Sequence, residues 1–261
     1  MAHHQRKHHR KHRRFRFTRL YGVLCVLLIL AAVVAGCIIF FKVDTVEVEG
    51  NDRYSQQEII DVAGIQPGEN MFLFNKFDSI NAVLTKLSYV DTVTIRRSLP
   101  STVRITVTEC PAAAAVKDEE RSCWWLVNAS GKIVERVTDT PDVPEVTGLA
   151  PTDPTVGQQM TVAEEQRLQL DAMTELLTSM QKRELLSGAN SLDLSSSSVA
   201  LLQYDGRIEV RLKLSSDFDY EMRVLGEVMK SYVDAKWKDT DTGALDFTLD
   251  DGQPHLIKNA G

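Results

Sequence analysis

Leu20 to Phe41 runs for twenty-two residues without a charge, and no other feature so restricts what this chain can become. A helix rising about 1.5 Å per residue carries such a run across roughly 30 Å, the thickness of a bilayer's hydrocarbon core. Lipid offers no partners for backbone N–H and C=O groups, so the segment must be helical. The flanks are opposed in charge. Residues 1–19 hold eight of the 30 Lys and Arg, while all 36 acids lie beyond Phe41, leaving the remainder a net charge of −14. Positive charge stays cytoplasmic, so the sequence predicts a single-pass type II protein: a basic tail over 1–19, a transmembrane helix over 20–41 and an extracytoplasmic bulk. A cleaved signal peptide fits poorly, because apolar residues continue through Ile38-Ile39-Phe40-Phe41 with no small-residue cleavage site after them. A lipidated Cys37 after Val34-Ala35-Gly36 fits poorly too, since a polar linker should follow it.

Five of the six histidines fall in the basic tail, leaving the rest of the chain only His255. The sequence therefore holds no Ser/His or Cys/His constellation beyond the membrane, and also no HExxH, GxSxG or paired-Cys zinc spacing. Ser195–Ser198 reads as a polar turn, and Asp250-Asp251-Gly252 as another, lacking the further ligands of a calcium loop. Neither a catalytic residue, a cofactor nor a metal is expected. Cys110 and Cys123 are the two cysteines outside the apolar run, and two alone make no disulfide framework.

Residues 43–112 read as strand, helix, helix, strand, strand. Val46 and Val48 alternate with Glu47 and Glu49 before a break at Gly50-Asn51. Ser55-Gln56-Gln57-Glu58 is a capping-box pattern that opens a helix burying Ile59, Ile60 and Ala63, with Gly64 placed to end it. A second helix carries Ile80, Leu84 and Leu87 on one side. Val93 and Ile95, then Val103, Ile105 and Val107 after a Leu99-Pro100 turn, alternate as strands of an antiparallel sheet with one wet face.

Residues 113–250 read as a second module. Strands are expected at Ala113–Lys117, around Trp124-Trp125, and at Ile133-Val134, followed by an extended connection over 138–160. A helix over about Val162–Leu186 aligns Met173, Leu176, Leu177 and Met180. Strands follow on Leu192 and Leu194, on Val199 and Leu201, and on Ile208-Val210-Leu212-Leu214. A last helix aligns Phe218, Met222, Leu225, Met229 and Tyr232. Leu245, Phe247 and Leu249 form a final alternating strand, and 251–261 is expected to be a flexible tail. The fold class is α+β: a membrane helix, a β-α-α-β-β domain, and a second α+β domain with a mostly antiparallel sheet.

Val48-Glu49-Gly50-Asn51, Gly64-Ile65, Gly68-x-Asn70, Leu99-Pro100 and Glu109-x-Pro111, in this order, resemble a POTRA domain. A POTRA domain directly after one membrane helix resembles the FtsQ/DivIB family of bacterial cell-division proteins, whose β domain is matched by Pro144-x-x-x-Gly148 and the later element order. The resemblance implies a non-enzymatic divisome scaffold at the septum. Its partners would be small bitopic coiled-coil division proteins of the FtsL and DivIC/FtsB type, with no nucleic acid or small-molecule substrate. The alternative is a chaperone-like POTRA factor of envelope assembly or export, which ordinarily carries a β-barrel for which residues after 250 leave no room. A terminal strand offers unpaired backbone groups to an extended partner, so the expected binding site is Ala244, Leu245, Asp246, Phe247, Thr248 and Leu249.

Overall fold

A computed structural model of the protein describes residues 14–238, 240–249 and 253–259. Most of the basic tail and the expected turn at Asp250-Asp251-Gly252 lie outside the described residues. Helix α1 (Arg14–Phe40) contains the apolar span, whose stretch Leu20–Phe40 has a mean hydropathy of 3.2 and is not buried within the protein. The helix also reaches back six residues into the basic segment. The uniformly apolar surface of Leu20–Phe40 is what a lipid environment requires.

The first module has the expected order: β1 (Thr45–Glu49), α2 (Gln56–Ala63), α3 (Lys76–Lys86), β2 (Val90–Ser98) and β3 (Thr102–Glu109). Ser55 caps α2 by accepting from the Glu58 N–H at 3.2 Å, and Gly64 ends it at φ +68°. The sheet order is β1-β3-β2. β2 is antiparallel to β3, but β1 lies parallel to it, so the expectation of an antiparallel sheet is only partly met. Alternation reports one wet face and not strand direction, and the two-helix crossover brings β1 alongside the far strand of the hairpin. Val48, Ile59, Ala63, Val83, Leu87, Ile95, Val103, Ile105 and Val107 form the core. On α3 it is Val83 that is fully buried, with Ile80 and Leu84 half-buried beside it.

The second module is one nine-stranded sheet with α4 and α5 packed into its core. Its elements are β4 (Ala114–Asp118), β5 (Cys123–Val127), β6 (Ile133–Val137), β7 (Glu145–Thr147), α4 (Arg167–Lys182), β8 (Ala189–Asp193), β9 (Val199–Tyr204), β10 (Ile208–Lys213), α5 (Phe218–Val228), β11 (Gly243–Asp246) and β12 (His255–Lys258). The order across the sheet is β12-β11-β10-β9-β8-β7-β4-β5-β6, with five antiparallel pairings and three parallel ones. β7 arises inside the expected extended connection. Val146 is fully buried there, paired with Val116 on one side and Leu192 on the other, so three residues join the two halves of the sheet. Gly148 then turns the chain at φ +87°, where a Cβ would lie 2.3 Å from the Ser195 nitrogen.

Two local registers differ from the sequence reading. β9 buries Ala200, Leu202 and Tyr204 instead of Val199 and Leu201, because adjacent Leu201 and Leu202 make the alternation ambiguous. After α5 a π-helical turn (Met229–Val233) inserts a residue, so Val233 enters the core and Tyr232 faces solvent. The two cysteines outside the membrane span are not joined; Cys123 is buried and Cys110 half-buried. Trp125 enters the core with its Nε1 donating to Asp118 at 3.0 Å, while Trp124 on the opposite face is half-buried.

The modules meet through polar groups. Lys132, buried just before β6, donates from Nζ to the Leu84 and Val90 carbonyls of the first module, both at 2.8 Å. Leu84 is in the last turn of α3, where carbonyls lack helical partners and a cation is favoured. Asn128 donates to Asp91 at 3.3 Å, and the Tyr89 hydroxyl to Glu135 at 2.6 Å, with the Arg53 guanidinium 3.8 Å above the Tyr89 ring. Burial, followed by the Glu135 contact, pushes the Tyr89 hydroxyl up to about 12.

Candidate partner-binding edge

The expected binding strand is not an edge. Asp217 caps α5 by accepting from the Tyr220 N–H at 3.1 Å, and Phe218, Met222 and Leu225 fix the helix on the sheet. The chain emerging after Trp237 enters β11 between two neighbours. Gly243–Asp246 runs parallel to β10, pairing Val210 with Leu245, and antiparallel to β12, pairing Leu245 with Leu256. Gly243 is required at this crossing, because a Cβ would meet the Ile257 carbonyl at 2.4 Å and the Trp237 ring at 2.5 Å.

The six expected residues therefore divide. Ala244, Leu245 and Asp246 are buried, and only Leu245 joins the hydrophobic core. Phe247 extends the pairing, its N–H donating to the Arg211 carbonyl at 3.0 Å, with its ring half-buried against the core. Thr248 turns back, donating from N and Oγ1 to Asp246 Oδ1 at 2.7 and 2.6 Å. Leu249 is exposed. Burial alone would raise the Asp246 carboxyl, but the Thr248 bonds and Arg211 hold it below its ordinary range. Asp246, which alternation with Leu245 and Phe247 would turn outward, is thus an internal acceptor.

The edge belongs to β12, which the sequence reading placed within a flexible tail. The Asn259 N–H donates to the Thr242 carbonyl at 2.9 Å, which marks that pair as hydrogen-bonded. Alternation along an antiparallel ladder then turns His255 and Ile257 toward β11 and aims the backbone groups of Leu256 and Lys258 outward. Ile257 is 51% exposed beside them, and Leu256 packs on the core. Lys258 anchors the strand end, its Nζ 2.5 Å from Asp241 and 5.5 Å from the Trp237 ring centre. That contact, with the Lys238 N–H, holds the Asp241 carboxyl below its usual range. Pro254 followed by the apolar pair Leu256-Ile257 was the available signal for this strand.

The opposite edge of the sheet, β6, is bonded at its start by the following chain and meets the first module through a side chain. The Ile133 N–H donates to Gln158, its carbonyl accepts from Gly157, and Glu135 meets Tyr89 of the first module. Among the described residues, no strand lies outside β12.

Comparison with known proteins gives a consistent set. Residues 41–109 match the family model of the POTRA domain, FtsQ-type. The chain is 32% identical over 122 residues to a cell division protein FtsQ of Corynebacterium glutamicum, covering 47% of this chain and 53% of that one. It is 24% identical over 213 residues to an FtsQ of Syntrophotalea carbinolica, covering 77% and 72%. It is 25% identical over 126 residues to a cell division protein DivIB of Clostridium botulinum, covering 48% of each. The chain spans about half the length of the first of these relatives.

Proposed function

Because the chain carries an FtsQ-type POTRA domain behind a membrane-anchoring helix and resembles the FtsQ/DivIB cell-division proteins, we propose that it is a non-enzymatic divisome scaffold at the septum. Its basic N-terminus lies in the cytoplasm and both modules lie outside. It links small bitopic coiled-coil division proteins of the FtsL and DivIC/FtsB type. The observation that supports this reading best is the open β12 edge. An extended partner segment adds there as a tenth strand, bonding to the outward backbone groups of Leu256 and Lys258 and resting on Ile257. Of the six residues first expected to bind, Ala244, Leu245 and Asp246 serve as the template that holds β12, and Leu249 lies exposed beyond the strand end.

The test is Leu256→Pro in the full chain, captured with a DivIC/FtsB-type partner from dividing cells of the native host. The Leu256 N–H points away from β11, so proline removes a donor needed by the partner but not by the ladder. Capture should fall by about tenfold in a chain that still folds by circular dichroism, its urea midpoint lowered only by the lost packing of the half-buried Leu256. Capture at the native level by a folded Leu256→Pro chain would refute strand addition at β12.

A further inference from the structure

The POTRA module exposes its large apolar side chains at one end only. Among the described residues of this module they are Phe72, Leu73, Phe77 and Leu99, at 52, 74, 69 and 61% exposure. Burying such groups is the main favourable term in folding, so leaving four of them together in water needs a reason.

Their position supplies one. The loop before α3 is bonded to the last turn of α1: Asn70 Nδ2 donates to the Cys37 and Ile38 carbonyls at 3.2 and 3.1 Å. The Met71 N–H donates to the Phe41 carbonyl at 3.0 Å, and the Phe72 ring meets the Phe41 ring edge-on at 5.4 Å. The β2–β3 turn reaches the same place, since the Asp44 N–H donates to the Ser101 carbonyl at 2.8 Å. Both apolar loops thus sit level with the point where α1 leaves its hydrophobic span. Cations flank the rings, with Arg97 4.8 Å from the Phe74 centre and Lys76 5.7 Å from that of Phe77. Aromatic rings beside long basic side chains suit a membrane–water boundary, where the rings settle at headgroup depth and the charges reach into water.

We propose that this end of the POTRA domain is a second membrane contact, in which Phe72, Leu73, Phe77 and Leu99 enter the interface of the bilayer that holds α1. The occupant is lipid, not protein, because the patch is continuous with the membrane-spanning helix. Nearby charges balance: Lys42, Lys76 and Arg97 stand against Asp44, Glu69 and Asp78. Zwitterionic lipid therefore suffices, and the module is held close against the membrane instead of swinging from α1 on a tether.

The proposal rests on α1 spanning the bilayer, and the experiment separates the two. Full-length protein is reconstituted in phosphatidylcholine vesicles with or without brominated acyl chains, which quench nearby indoles. Tryptophan is placed in turn at Phe77, at Leu73, at Val33 within α1 and at Gln57 in the first turn of α2, beside the membrane-distal end of β1. The emission of the three native tryptophans is subtracted. Expected is strong quenching for Val33→Trp, a roughly twofold loss for Phe77→Trp and Leu73→Trp, and no change for Gln57→Trp. Quenching of Val33→Trp alone overturns the proposal and leaves the anchor standing. No quenching at Val33→Trp overturns both. Blue-shifted but unquenched emission from Phe77→Trp that grows with protein density would mean that a second copy covers the patch, and also overturns it.

Discussion

Lys132→Met tests whether the two modules behave as one body. The native ammonium group is buried and bonded to two first-module carbonyls at 2.8 Å. Methionine keeps the length and apolar stem but leaves the Leu84 and Val90 carbonyls without that donor. Hydrogen bonds to a charged group contribute about 1.5–3 kcal/mol each. The gain is offset in part by the desolvation that pushes the Lys132 ammonium below its ordinary pKa, against the pull of Asp91. A net loss of about 2–4 kcal/mol of coupling between modules is expected. With a urea dependence of about 2 kcal/mol per molar, that shifts a midpoint by about 1–2 M. The assay uses full-length protein in detergent and two probes. Trp124, Trp125 and Trp237 all lie in the second module, so their fluorescence reports it alone, while far-ultraviolet circular dichroism reports both. The native chain should show coincident transitions. In the variant the dichroism should begin to fall first, as the POTRA domain unfolds separately. Coincident transitions at an unshifted midpoint would refute the reasoning, and the modules would then be held by their remaining contacts.

Glu221→Gln should stabilise the second module at neutral pH. The carboxyl is 4% exposed with Oε2 unpartnered, and burial pushes it up to about 7 from an ordinary 4.5. A raised folded-state value means stability is fully present below pH 4.5 and is lost as pH climbs through about 7. Glutamine removes that slope and should add about 2–3 kcal/mol at pH 8; an unchanged difference in urea midpoint between pH 5 and pH 8 would exclude this assignment. Gly148→Ala should cost about 2–4 kcal/mol, since its Cβ would strike the Leu194–Ser195 backbone at positive φ. Gly64→Ala, also at positive φ but in open space, should cost about 1 kcal/mol, and equal losses in thermal unfolding would remove the steric argument.

The sequence was most readable where one residue pattern met one solvent boundary. The uncharged run of α1, the Ser55 cap and the strict alternation of Val103, Ile105 and Val107 each depend on neighbours a few residues away. What escaped depends on distant partners. β7 is three residues between Pro144 and Gly148 and is a strand only because β4 and β8 lie on either side. β12 is only four residues long, and without it β11 looked like the edge of the sheet. Lys132 reads as an ordinary turn lysine, and its burial depends on carbonyls more than forty residues earlier.

The continuity of the nine-stranded sheet has a mechanical side. From β6, which touches the POTRA domain, to β12 there are eight interstrand steps, a contour of about 38 Å at 4.8 Å each. A pull between a partner on β12 and the membrane anchor would run across the strands, loading their hydrogen bonds in series. In that series β7 is the narrowest link, matched to β4 by two residue pairs and to β8 by three, against six between β9 and β10. Tension would be expected to part the sheet at β7 before it disturbs the strands that present the partner's edge.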